Sequence, residues 1–118
     1  MNRETVMQYV REILGDTDTN HPRFDDDCLR RGLEAAIADT NVINPKNQQK
    51  HTLDTVPDGW LACVPEGAAA HCLRERADQL DASDPKGSAR FRALADGHDR
   101  QFRNTAKRVM ANRPTSAR

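Results

Sequence analysis

The sequence predicts an all-α fold: a small four-helix domain with a long irregular arm between helices 2 and 3, and a long C-terminal helix. Three observations carry this prediction. Apolar residues recur at three- and four-residue steps in four separate stretches, which is the period of one helix face. No stretch alternates apolar and polar residues for long enough to build a sheet. Glycine, proline and short aspartate clusters fall between the periodic stretches, where helices start and stop.

The first helix is expected over Arg3 to Leu14, with Val6, Val10, Ile13 and Leu14 on one face and Gly15 as its stop. Residues 16–23 are polar, contain Pro22 and read as a loop. A second helix starts at Asp25 or Asp26, repeats Leu29, Leu33, Ala36 and Ile37, and fades near Asn41. Phe24 precedes its cap and is placed to pack on Leu29 as a hydrophobic staple. Residues 42–57 read as the irregular arm, with short extended pieces at Val42-Ile43 and Thr52 to Val56. The third helix is expected to begin near Asp58 and end near Leu80, carrying Trp60, Leu61, Val64, Ala68, Ala69, Cys72 and Leu73. Pro65 falls inside it and predicts a kink or a restart. DASDPKG reads as a turn. The last helix then runs from about Ser88 to Ala111, with a stripe of Phe91, Leu94, Ala95, His98, Phe102, Thr105 and Val109. Residues 1–112 thus form one helical domain and residues 113–118 a flexible tail.

Composition sets limits on this domain. Leu, Ile, Val and Phe together number 20 of 118 residues, a thin core that gains stability from a partner or from copies of itself. Cys28, Cys63 and Cys72 are an odd set without a CxxC pair, so they predict buried thiols of an intracellularly made protein instead of a zinc ribbon or a disulfide framework. No signal peptide and no apolar run near the length of a membrane helix is visible, so a soluble protein without a membrane partner is expected.

The stretch GDTDTNHPRFDDD, from Gly15 to Asp27, opens like a calcium loop with Asp16, Asp18 and Asn20 on alternate positions. His21 stands where the turn glycine belongs, and Asp27 replaces the bidentate Glu. The expectation is therefore no metal and no cofactor, with Asp25 or Asp26 capping a helix and the other carboxylates facing the positive end of its dipole. The histidines His21, His51, His71 and His98 form no HxxxH or HExxH pair. His71 and Cys72 are neighbours that a helix points about 100° apart. No nucleophile–base pair, P-loop or GxSxG motif is present, and the sequence is read as non-enzymatic.

The formal charge is zero overall but polarised along the chain. Residues 1–85 carry nine Lys/Arg against sixteen Asp/Glu, a net of −7; residues 86–118 carry nine against two, a net of +7. Such a chain predicts an acidic–basic contact with another protein, head-to-tail copies of itself, or nucleic acid. The phosphate reading lacks interleaved aromatics for stacking. A helix-turn-helix reader is disfavoured by the ten-residue connection and the acidic start of the second helix.

The order of parts resembles the small head-to-tail adaptor (connector) proteins of tailed bacteriophages. The resemblance covers about Thr5 to Met110 and rests on VREILGD, RFDDDCLRRGLEAAI, PDGWLACVPEGAAAHCLRERAD and ARFRALADGHDRQFRNTAKRV. It implies a structural virion protein made in the host bacterial cytoplasm and located at the neck. It further implies a homo-oligomeric ring of about twelve copies beneath the portal protein. The ring extends the channel through which genomic DNA passes without sequence-specific binding, and docks the next neck or tail protein. On that reading, Arg100, Arg103, Lys107, Arg108 and Arg113 are the expected portal or subunit contacts, and Asp25, Asp26 and Asp27 the acidic subunit contacts. Two alternatives stand beside it: a small DNA-binding or DNA-packaging accessory protein using the basic C-terminal helix, and a helical interaction module of a bacterial host.

Overall fold

The computed structural model describes residues 2–18, 20–43 and 50–111. It contains four α-helices: α1 (Arg3–Leu14), α2 (Asp26–Ile43), α3 (Val64–Leu80) and α4 (Pro85–Ala111), with a 3₁₀ helix, Asp58–Ala62, ahead of α3. No strand occurs among the described residues.

The first two helices are bounded by local chemistry. The Asn2 side chain caps α1 by accepting hydrogen bonds from the amides of Glu4 and Thr5 at 2.9 and 3.2 Å. Gly15 closes α1 in the left-handed region at φ 68°, its N–H reaching back to the carbonyls of Arg11 and Glu12. A side chain at that φ carries a steric penalty that glycine avoids. Asp25 caps α2, with its carboxylate 2.7 Å from the Cys28 amide. Phe24 is buried just ahead of the cap, in the same core cluster as Leu29.

The expected restart at Pro65 is present, and two other boundaries differ from expectation, each for a physical reason. Pro65 restarts the chain: the 3₁₀ helix ends, Cys63 breaks the geometry, and α3 begins with Pro65 in its first turn, where a missing N–H leaves no helical bond unmade. Pro85 likewise opens α4 three residues before the expected Ser88. Asp84 is its cap, accepting from the Gly87 amide at 3.0 Å, so the turn in DASDPKG is confined to its first half. The arm is shorter than expected, because α2 takes in Val42 and Ile43. Residues 44–49 of the expected arm lie outside the described residues, as does the tail at 112–118. Residues 50–57 turn at Thr52–Thr55 instead of extending, with Thr55 and Val56 amides bonded to the Thr52 carbonyl. They are held in place: the Asn41 side chain pairs with both backbone groups of His51 at 2.8 and 2.9 Å, His51 meets the Trp60 ring edge-on, and Val56 is buried.

The core lies along α3, which packs against α1, α2, α4 and the 3₁₀ helix. Small residues make this possible. A Cβ built on Gly32 of α2 would stand 2.7 Å from the Ala68 carbonyl oxygen, and one on Gly67 of α3 would stand 2.8 Å from the Phe102 ring. Ala68, Ala69, Ala70 and Ala77 are fully buried between the helices. Contacts of Gly67 with Phe102, Glu66 with His98, Arg74 with Asp96 and Ala77 with Ser88 run α3 and α4 as an antiparallel hairpin. On α4, Ala95, Phe102, Ala106 and Met110 are buried, while Leu94 is 49% exposed and falls off the expected stripe. The molecule is a thin plate of 55 × 27 × 17 Å.

Candidate functional site: an acidic joint and a separate cationic stripe

The joint between α1 and α2 is organised by Asp16, whose side chain is 1% exposed. One carboxylate oxygen accepts from Arg11 Nη1 at 2.9 Å and the Phe24 amide at 3.0 Å; the other accepts from the Arg23 amide at 2.9 Å. The same Arg11 nitrogen also donates to the Phe24 carbonyl at 2.9 Å, and its Nη2 reaches Asp26 at 2.8 Å. Arg23 donates to the carbonyls of Leu14 and Gly15, which α1 leaves unsatisfied at its end. The calcium-like spacing is therefore occupied with turn work. Asp18 accepts from the Asn20 amide at 3.0 Å. Among the described residues no group of three or more His, Cys, Asp or Glu is placed to hold a metal ion.

The three aspartates take separate tasks. Asp25 is the cap, Asp26 is the outer partner of Arg11, and Asp27 lies 3.5 Å from Arg30 one turn on. Asp26 and Asp27 remain largely exposed. Sequence reasoning missed the buried Asp16–Arg11 pair, since the aspartate at an apparent ligand position carried no sign of burial.

On α4, Arg100, Arg103 and Lys107 are exposed and fall within about 60° of helix arc, about 100° round the helix from the mean direction of its buried residues. Arg108 flanks them. Arg103 is committed within its own helix, donating to Asp99 at 3.1 Å. Asp99 also lies 3.6 Å from Arg74. Arg100, Lys107 and Arg108 have no carboxylate within ion-pair distance among the described residues. Like charges three and four residues apart on one face repel by a few tenths of a kcal/mol, about 0.2–0.5 per pair. The C-terminal dipole of α4 offsets part of that. Arg113 lies outside the described residues.

The structure does not bring the acidic and basic sets together. The start of α2 packs beside Cys72, Glu75 and Arg76, toward the C-terminal end of α3. Phe102 of α4 packs on Gly67, near its other end, and Lys107 and Arg108 lie further along. The two sets are therefore separated along the α3–α4 hairpin.

The remaining chemistry-bearing side chains act as cross-links. His98 of α4 pairs with Glu66 of α3 at 2.6 Å, and His71 of α3 with Asp39 of α2 at 3.1 Å. His71 and Cys72 both meet α2 but at separate points, His71 at Asp39 and Cys72 at the Cys28 carbonyl. Arg76 stacks its guanidinium 4.6 Å from the centre of the Phe24 ring and also donates to the Arg23 carbonyl. Burial pushes the Cys63 thiol up to about 11. No helix among the described residues is long and apolar enough to cross a membrane. No protein-family model, no curated protein and no solved structure matches this chain.

Proposed function

We propose that the chain is a subunit of a head–tail adaptor of a tailed bacteriophage. In this reading, copies form a ring below the portal protein, extend the DNA channel and dock the next neck or tail protein. The single observation that carries it is the separation of charge: a cationic stripe on α4, in which Arg100, Lys107 and Arg108 have no ion-pair partner among the described residues, and, apart from it, an exposed acidic joint at the start of α2. A closed ring built from one chain uses two different patches per subunit, and this layout supplies two patches of opposite sign. The thin core and the plate shape support the same reading, because lateral packing would cover apolar surface that a lone subunit leaves near water.

A second reading is supported by the same stripe: Arg100, Lys107 and Arg108 contact a DNA backbone, in an accessory protein for binding or packaging. Purified chain with and without purified portal, measured by light-scattering mass and negative-stain imaging, separates the two. Rings, free or on the portal, are expected, and replacing Arg100, Arg103, Lys107 and Arg108 with Glu is expected to abolish them. A chain that stays monomeric with portal present overturns the adaptor reading. A DNA mobility shift that weakens steeply with rising salt would put the accessory reading in its place.

A further inference from the structure

Where α2 packs closely on α3, two cysteines come together, the Cys72 thiol against the Cys28 backbone. Cys28 lies one turn before Gly32, whose close approach to Ala68 and Cys72 sets the crossing distance. Cys72 Sγ donates to the Cys28 carbonyl oxygen at 3.5 Å. Cys28 Sγ in turn donates to Glu75 at 3.0 Å, and Glu75 accepts from Arg31 at 2.7 Å. A cleft of about 280 Å³ opens on this cluster, with both cysteines among its lining residues. Three guanidiniums, of Arg23, Arg31 and Arg76, and two carboxylates, of Asp25 and Glu75, also line it. Cys28 is 9% exposed and Cys72 1%, so a reagent in the cleft reaches Cys28 first. Cys63 is fully buried elsewhere, beside Trp60.

We propose that Cys28 and Cys72 form a redox-active dithiol, oxidised to an α2–α3 disulfide by an anionic small-molecule disulfide that enters this cleft. The net positive lining draws the carboxylates of such a reagent. Cys28 loses its proton to water and its thiolate attacks one sulfur of the reagent, forming a mixed disulfide and releasing one small thiolate. Cys72 then loses its proton and attacks Cys28 Sγ, forming the Cys28–Cys72 bond and expelling the second small thiolate. The two released thiolates take up the two protons. The protein loses two electrons and two protons, and the reagent is reduced to two thiols. The neighbouring Cys72 thiol and burial raise the Cys28 thiol pKa, and Glu75 adds to them as a brake: its carboxylate accepts the Cys28 S–H and opposes a second negative charge, so the attacking thiolate is scarce.

The test uses the reduced full chain and glutathione disulfide. Intact mass is expected to fall by two hydrogens, and a proteolytic digest without reductant to contain one cross-linked peptide joining Cys28 to Cys72. The Cys72→Ser variant is expected to stop at a mixed disulfide on Cys28, and the Cys28→Ser variant to leave Cys72 unreacted. Glu75→Gln is expected to speed the exchange roughly tenfold, equivalent to about one pKa unit. Raising the salt is expected to slow exchange with glutathione disulfide but not with the neutral hydroxyethyl disulfide. Chain unfolded in denaturant, which should react at all three cysteines, verifies the reagent. A folded wild-type chain, verified by circular dichroism, that yields no Cys28–Cys72 link, or links through Cys63, overturns the proposal. A Glu75→Gln chain that reacts no faster overturns the role of Glu75.

Discussion

Asp16 illustrates how one side chain fixes a joint. It is a buried carboxylate whose two oxygens serve one guanidinium and two backbone amides. Removing one partner of such a pair strands the other, at about 3–5 kcal/mol. Asp16→Ala is expected to destabilise the chain by about 3 kcal/mol in urea unfolding, and Asp18→Ala, on an exposed loop, far less. The titration of buried and bonded groups gives a second expectation. The Cys63 thiol is raised from the usual 9.0 to about 11 by burial, so the folded state holds its proton where the unfolded chain releases it. Stability contributed this way is full below pH 9 and is lost as pH rises toward 11, and Cys63→Ala should flatten that decline in melting curves recorded across the window. Glu75 has the opposite sign. The Cys28 hydrogen bond and then Arg31 hold its carboxyl below the usual 4.5, so its contribution is present above that pH and is lost on acidification. None of these partners was visible in the sequence. Cys28 and Cys72 are 44 residues apart, and periodicity reports which face of a helix is buried, not which residue it will meet.

Helices were the most legible level. The bounds of α1 match the expected Arg3 to Leu14, because cap, apolar period and stop glycine all act within one short segment. Proline was harder to read, since the same residue that breaks a helix interior also favours a first turn. Pro65 and Pro85 both start helices here, and the Asp84 cap that would have distinguished the cases reads equally as part of a turn. Residues 50–57 of the expected arm are anchored by contacts the sequence hides: Asn41 bonds His51 through its side chain, which a polar stretch does not advertise. Packing between helices can be tested at Gly32. In an open helix Gly→Ala gains about 1 kcal/mol. At Gly32 the new methyl would press on the backbone oxygen of Ala68, which cannot rotate away, and overpacking of this kind costs about 1–3 kcal/mol. Gly97 has open space around a Cβ. Gly97→Ala is therefore expected to raise the urea midpoint and Gly32→Ala to lower it.

The whole molecule joins a balanced total charge to an unbalanced distribution. The polarity of the chain was fully legible in the sequence; the separation of the two sets in space was not, because it depends on α4 folding back along α3. If the proposed assembly rests on contact between these two sets, its association should weaken as salt rises, since the Debye length is about 8 Å at 0.15 M and about 3 Å at 1 M. Sedimentation across a salt series is expected to show rings dissociating while far-UV circular dichroism stays constant. An assembly indifferent to salt would shift the contact to apolar surface such as that around Tyr9 and Ile13.

A plate 17 Å thick leaves room for little more than two helices in depth, and most contact between its helices passes through α3. Such a layout has a spine and no second centre. The helices that flank α3 have few contacts with one another, so they cannot persist as a folded remnant once it is lost. Amide hydrogens of α3 around Ala68 to Leu73 should therefore be the last to exchange with deuterium, at the rate of global opening. Those of the first turns of α1 and the last turns of α4 should exchange through local fraying.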